Sequence, residues 1–122
     1  MSRIRGKDTA PEKYVRRMIH GMGFRYRLHA AGLPGKPDLV LPRLRKVVFV
    51  HGCFWHMHRC RFGRVKPVTN ADFWKRKREG NRRRDATVRR ALRKEGWRVL
   101  TVWECEMRNV GILQRKLRMF LT

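Results

Sequence analysis

The stretch "VVFVHGCFWHMHRC" (residues 47–60) decides how this chain is read. It opens on Val47, Val48, Phe49 and Val50, an apolar run typical of a buried β-strand. It then passes through His51 and Gly52 into Cys53, Phe54, Trp55, His56, His58 and Cys60. Core strands do not normally end in so many reactive side chains. A strand that does so delivers a chemical site to the edge of a sheet.

Outward from there, "DLVL" (residues 38–41) reads as a second short buried strand. It pairs with residues 46–50 through a connection at 42–45. "FRYRL" (residues 24–28) alternates with period two and predicts a strand before it. "WRVLTVW" (residues 97–103) is apolar on both faces, which predicts a central strand. Residues 9–22 read as a helix. "TAPE" supplies a capping box from Thr9 and Glu12, and Tyr14, Val15, Met18, Ile19 and Met22 form one apolar face. A basic helix is expected over 71–95, interrupted near Gly80. An amphipathic helix over 110–121 should turn Ile112, Leu113, Leu117 and Phe120 inward. The order predicts an α/β fold, a central mixed sheet flanked by helices, in a single domain over residues 1–122.

Charge narrows the function. The chain has 32 Lys+Arg against 9 Asp+Glu, a formal net charge of +23. Such an excess repels itself when compact and calls for a polyanionic partner, with nucleic acid first. An anionic membrane surface is disfavoured, because no long apolar segment or lipidation signal is present. "MSRIRGKDTAPE" at the start lacks the apolar core of a secretory signal. Three Cys is an odd count, which speaks against a closed disulfide framework and for reduced thiols in a reducing cytosol.

Cys53, His58 and Cys60 make a C-x4-H-x-C pattern, and Cys105 follows a distant strand. Four such ligands suffice for a structural Zn²⁺ site that ties a loop to a strand end. The plainer reading is that the cysteines are small buried residues. Asp38 begins a strand after Pro37 with no helix to cap, which suits a Mg²⁺ ligand. Glu12 is either a second carboxylate of that site or only the capping-box acid. His51 and His56 suit proton transfer or phosphate contact. They equally suit packing, or ligation of zinc in place of His58. Together these are the parts for metal-assisted phosphodiester hydrolysis.

The combination "PGKPDLVLP…KVVFVHGCFWHMHRC", with "DTAPEK" before it and "FWKRKREGNRRRD" and "GWRVLTVWEC" after, resembles the very short patch repair endonucleases. The resemblance implies the restriction-endonuclease-like three-layer fold. It also implies nicking of DNA 5′ to the thymine of a T:G mismatch, the product of 5-methylcytosine deamination, with Mg²⁺. By position, it implies that Asp38 and the Val50 backbone carbonyl hold Mg²⁺, with Glu12 near its waters. His51 and His56 become the active-site histidines, and Cys53, His58, Cys60 and Cys105 the structural zinc ligands. Phe54, Trp55 and Trp74 become aromatic wedges at the mismatch, with Lys77 and Asn81 close to its bases. On the long helix Lys77, Asn81, Arg84 and Val88 share a face by spacing. The family setting is a bacterial cytoplasm, a monomer on DNA, and a functional link to a cytosine-5 methyltransferase and to mismatch-repair proteins.

The chain departs from the family pattern in two places. Val50 replaces a threonine, and "VVFVH" lacks the acidic residue and lysine usual in the wider superfamily, so His51 and His56 must cover those roles. By the resemblance, the family's inserted methionine falls at Met1, so the expectation is either that most of the N-terminal DNA-clamping helix is lacking or that the sequence begins at an internal start. Weaker mismatch discrimination is expected. Two alternatives follow: a nicking enzyme of different or relaxed specificity, and a non-catalytic zinc-stabilised DNA-binding module.

Overall fold

The protein is described by a computed structural model, which covers residues 9–28, 32–53, 60 and 70–122. Its long elements follow the apolar runs. Helix α1 spans Ala10–Gly21, and strands β1 to β3 span Arg27–Leu28, Leu39–Leu41 and Lys46–His51. Helix α2 (Ala71–Lys94), strand β4 (Arg98–Trp103) and helix α3 (Val110–Leu121) complete the order. The sheet runs β1-β2-β3-β4, antiparallel except for the parallel β3–β4 pair.

The period-two alternation of the strands builds two cores. Leu39, Leu41, Val48 and Val102 join Val15 and Ile19 of α1 and Leu113, Leu117 and Leu121 of α3. Val40, Val47 and Phe49 project from the other face and pack with Leu92 of α2 and Trp97. Helices on both faces explain why the strands read as continuous apolar runs. Two cations close the end of the sheet away from His51. Lys46 Nζ donates to the Phe120 carbonyl at 2.5 Å, in the last turn of α3. The Arg45 guanidinium lies 4.3 Å from the Trp97 ring centroid.

Four expectations need correction. β4 is not central, because β3 is the inner partner and no described strand lies beyond β4. Its two apolar faces reflect the helix layers above and below, not its lateral place. β1 is only two residues long, since β2 offers it just Val40 and Leu39 as partners. The rest of "FRYRL" still packs, through Phe24 and Tyr26 against the core. α2 runs through Gly80 without a break. In α3 the buried stripe is Leu113, Leu117 and Leu121, while Ile112 is 58% exposed. Asn109 caps this helix by accepting the Ile112 N–H at 3.1 Å, which places Ile112 one position off the stripe.

The capping box at α1 is as expected: Glu12 Oε2 accepts from Thr9 N at 3.1 Å and from Thr9 Oγ1 at 2.8 Å. Leu33 to Lys36 form a turn closed by Lys36 N on the Leu33 carbonyl at 3.2 Å, with Gly35 at φ +71°. A Cβ on Gly35 would run into Val88 of α2.

The two glycines should therefore respond oppositely to substitution. A Cβ on helical Gly80 meets only Arg84 Nη1, at 3.5 Å, so Gly80→Ala should stabilise by about 0.5–1 kcal/mol. Gly35→Ala should destabilise, through its positive φ and the clash with Val88. Urea unfolding midpoints of the two variants check both signs.

Candidate active site and metal centre

The site forms where β3 ends. Asp38 lies just before β2, and the antiparallel register Leu39↔Val48 carries it beside the last residues of β3. Its Oδ2 accepts the Val50 N–H at 2.6 Å. Glu12 reaches the same place from α1, 2% exposed, with its carboxyl near enough to act on the charge of Asp38. The capping reading of Glu12 is seen directly, and the same carboxyl also lies beside Asp38. Oε2 is committed to the Thr9 cap, and this fixes the rotamer that turns the carboxyl toward Asp38. Arg16, one helical turn on, places Nη2 at 3.7 Å from Glu12 Oε1.

Burial raises the Asp38 pKa to about 7. The Val50 N–H opposes this rise, the Glu12 charge adds to it, and the Arg16 charge opposes it. The pair therefore holds a proton that a hard divalent cation would displace. Two convergent carboxyls beside a strand-end backbone fit such a cation.

His51 is 9% exposed and ends β3 on the face covered by α2. Its ring lies 5.5 Å from Phe49 and 5.4 Å, edge-on, from Trp103. Its Nδ1 stands 3.9 Å from Asp85 Oδ2 of α2. The Asp85 carboxylate is thus the acidic group of α2 that faces the His51 ring. Asp85 escaped the sequence reading because it sits in the basic run "NRRRD", which was read for phosphate contact. The available signal was its rarity, for α2 has only Asp72, Glu79 and Asp85 against eleven Lys and Arg.

The α2 helix presents Arg78, Asp85 and Leu92 inward at heptad spacing. Asp85 marks the level of His51, the last residue of β3. The fourteen residues before it add about 21 Å of helix, along which Arg78 is still buried. That stretch carries Trp74 (half-buried), Lys77 (exposed) and Asn81 (half-buried), three of the residues expected to meet DNA. It also carries Phe73, 51% exposed, edge-on to Trp74 at 5.1 Å, with Lys77 Nζ 5.8 Å from its ring centroid. Arg84 is exposed, whereas Val88 on the same expected face packs inward.

Cys53, Cys60 and Cys105 bring their Sγ atoms within 4.8 Å of one another. The Cys105 N–H donates to Cys53 Sγ at 3.4 Å. Tetrahedral ligation at a Zn–S length of about 2.3 Å needs S···S near 3.8 Å, so a small contraction suffices. Burial pushes the Cys53 thiol up to about 12 and raises Cys105 as well, so both thiols are protonated at neutral pH until a metal displaces the protons. His58, the expected fourth ligand, lies outside the described residues, as do His56, Phe54, Trp55 and Met1.

A mixed sheet between helices brings carboxyls and a histidine together at one strand end. The catalytic domain of the homing endonuclease I-Bth0305I superposes with TM-score 0.57 at 20% identity, over 93% of this chain and 94% of that domain. The fold is restriction-endonuclease-like. The family model described as DNA mismatch endonuclease Vsr matches residues 1–62. The type II nicking enzyme V.XorIIP of Xanthomonas oryzae pv. oryzae is 50% identical over 121 residues, 99% of this chain and 88% of that protein. V.NmeAIP of Neisseria meningitidis is 44% identical, over 96% and 83%. DNA mismatch endonuclease Vsr of Escherichia coli is 44% identical over 109 residues, 89% and 69% of the two chains. This chain belongs to the Vsr endonuclease family.

Two outcomes test the site. An unfolded Asp38 ionises near its ordinary value of 3.8 and the folded one near 7, so the unfolded chain sheds its proton first as pH rises. This group's stabilising contribution is complete below about 4 and is lost as pH rises through 7. Metal-free protein should therefore lose melting temperature between pH 5 and pH 8, with a shallower fall in Asp38→Asn. For the thiol cluster, Cys105→Ala should lower both bound metal, measured by elemental analysis, and melting temperature. Unchanged metal content would remove Cys105 from the ligand set.

Proposed function

We propose that this protein nicks one strand of duplex DNA 5′ to the thymine of a T:G mismatch, in one endonuclease domain over residues 1–122. The carrying observation is the Asp38–Glu12 carboxyl pair, fixed by the Val50 N–H and standing at the same strand end as His51 and Asp85. Asp38 and the Val50 carbonyl would hold Mg²⁺, with Glu12 toward its waters. When bound, that cation neutralises the scissile phosphate and acidifies a water nucleophile. His51, steadied by Asp85, holds a proton beside the phosphate, and His56 serves acid–base transfer with the leaving oxygen.

Cys53, His58, Cys60 and Cys105 would hold structural Zn²⁺ and so fix the loop after β3 against the end of β4. Phe54, Trp55 and Trp74 part the base step, at lowest cost where pairing is already imperfect, and Lys77 and Asn81 sit near the bases. No described helix is long and apolar enough to cross a membrane. The proposed setting is a bacterial cytoplasm, with the protein acting as a monomer on DNA carrying the products of a cytosine-5 methyltransferase, alongside mismatch-repair proteins. A second reading, nicking with another or a relaxed specificity, is favoured by the relatives V.XorIIP and V.NmeAIP, which are nicking enzymes.

Nicking of labelled T:G and matched duplexes in several flanking contexts, with Mg²⁺, separates the readings. Preference for T:G supports the first, equal rates support the second, and binding without nicking leaves only a DNA-binding module. Asp38→Ala should abolish nicking and leave duplex binding nearly unchanged. Asp85→Asn should lower kcat roughly 10²-fold. If Asp38→Ala nicks like the parent, the carboxyl pair is not the active site.

A further inference from the structure

Arg16 lies one turn after Glu12 on α1, and its side chain is only 12% exposed. An arginine near a helix surface ordinarily extends its head to water. This one turns its guanidinium inward, Nη2 3.7 Å from Glu12 Oε1. Glu12 is thereby held on two sides, with Oε2 on the Thr9 cap and Oε1 facing Arg16. Arg16 is also the cation whose charge acts on Asp38. A buried guanidinium is costly unless paired, and the Glu12 carboxylate supplies a partner.

We propose that Arg16 is a positioning residue of the carboxylate site, holding Glu12 Oε1 and leaving the ionised pair with one net negative charge instead of two. The consequence is selective. Two bare carboxylates would capture a divalent cation strongly in the absence of substrate. With Arg16 in place, the cation is held loosely until a phosphate from the duplex supplies the missing negative charge and further oxygen ligands. Cation and DNA then bind cooperatively, and Arg16 sets the coupling. Its shielding from solvent separates it from the exposed basic residues of α2, such as Lys77, which are placed to meet phosphates directly.

This rests on reading Asp38 and Glu12 as the cation-binding pair, and the test separates the two. Calorimetric Mn²⁺ titration of zinc-loaded protein, without and with duplex, compares the parent with Arg16→Met, Arg16→Lys and Asp38→Ala. Arg16→Met should tighten Mn²⁺ binding to the free protein roughly tenfold and shrink the gain in Mn²⁺ affinity that duplex brings, with the metal-free duplex Kd unchanged. Arg16→Lys, which keeps the charge, should restore the parent affinity. Should Arg16→Met fail to fold, Arg16→Gln serves the same comparison. Unchanged Mn²⁺ affinity in the neutral variants, with or without a lower melting temperature, overturns the proposal. So does a weaker duplex Kd with a flatter salt dependence, which would make Arg16 a phosphate contact. Mn²⁺ binding that survives Asp38→Ala overturns the carboxyl-pair reading instead.

Discussion

The 2.6 Å hydrogen bond from the Val50 N–H to Asp38 Oδ2 is the constraint on which the rest of the site depends. It ties the residue entering β2 to the residue before the end of β3, just beyond the last β2–β3 pair. A carboxyl this deeply placed would otherwise face an unsatisfied, poorly solvated acceptor. The bond satisfies one oxygen and fixes the plane of the group. Glu12 and Arg16 can then be arranged about it from a separate helix. Burial still dominates, which is why Asp38 stays protonated well above the usual carboxylate range. The site is poised to exchange a proton for a cation.

Helix α2 is the second organising element, because one rigid rod touches three levels of the molecule. Leu92 packs with Val47 and Trp97 near the start of β3. Val88 presses on Gly35, in the turn that leads into Asp38. Asp85 stands beside His51. The residues before Asp85 carry Trp74, Lys77 and Asn81. A shift of this helix must alter the Asp38 turn and the His51 contact together, since close-packed interfaces transmit displacement.

The corner after β4 has its own clamp. Lys116 Nζ bonds both Glu106 oxygens at 2.9 Å and the Thr101 carbonyl at 3.0 Å. Glu106 Oε1 also accepts the Trp103 N–H at 2.7 Å. This network holds the turn that carries Cys105 to Cys53 and presents Trp103 to the His51 ring. Partly buried charges linked in this way resist displacement more than an exposed pair would.

Legible in the residues alone were the layers, the pairing of β2 with β3, the thiol cluster and the motif that carries the family resemblance. Each rests on local periodicity or on residues close in the chain, and Cys105 was found because soft ligands are few. Local patterning could not place β4 at the side of the sheet, since burial on both faces says nothing about lateral neighbours. It could not show that the Glu12 carboxyl that caps α1 also lies beside Asp38, because that depends on how α1 packs on the sheet. Nor could it join Arg16 to Asp38 or Asp85 to His51. Those pairings are set by how α1 and α2 lie against the sheet, a geometry that arises only when distant segments pack.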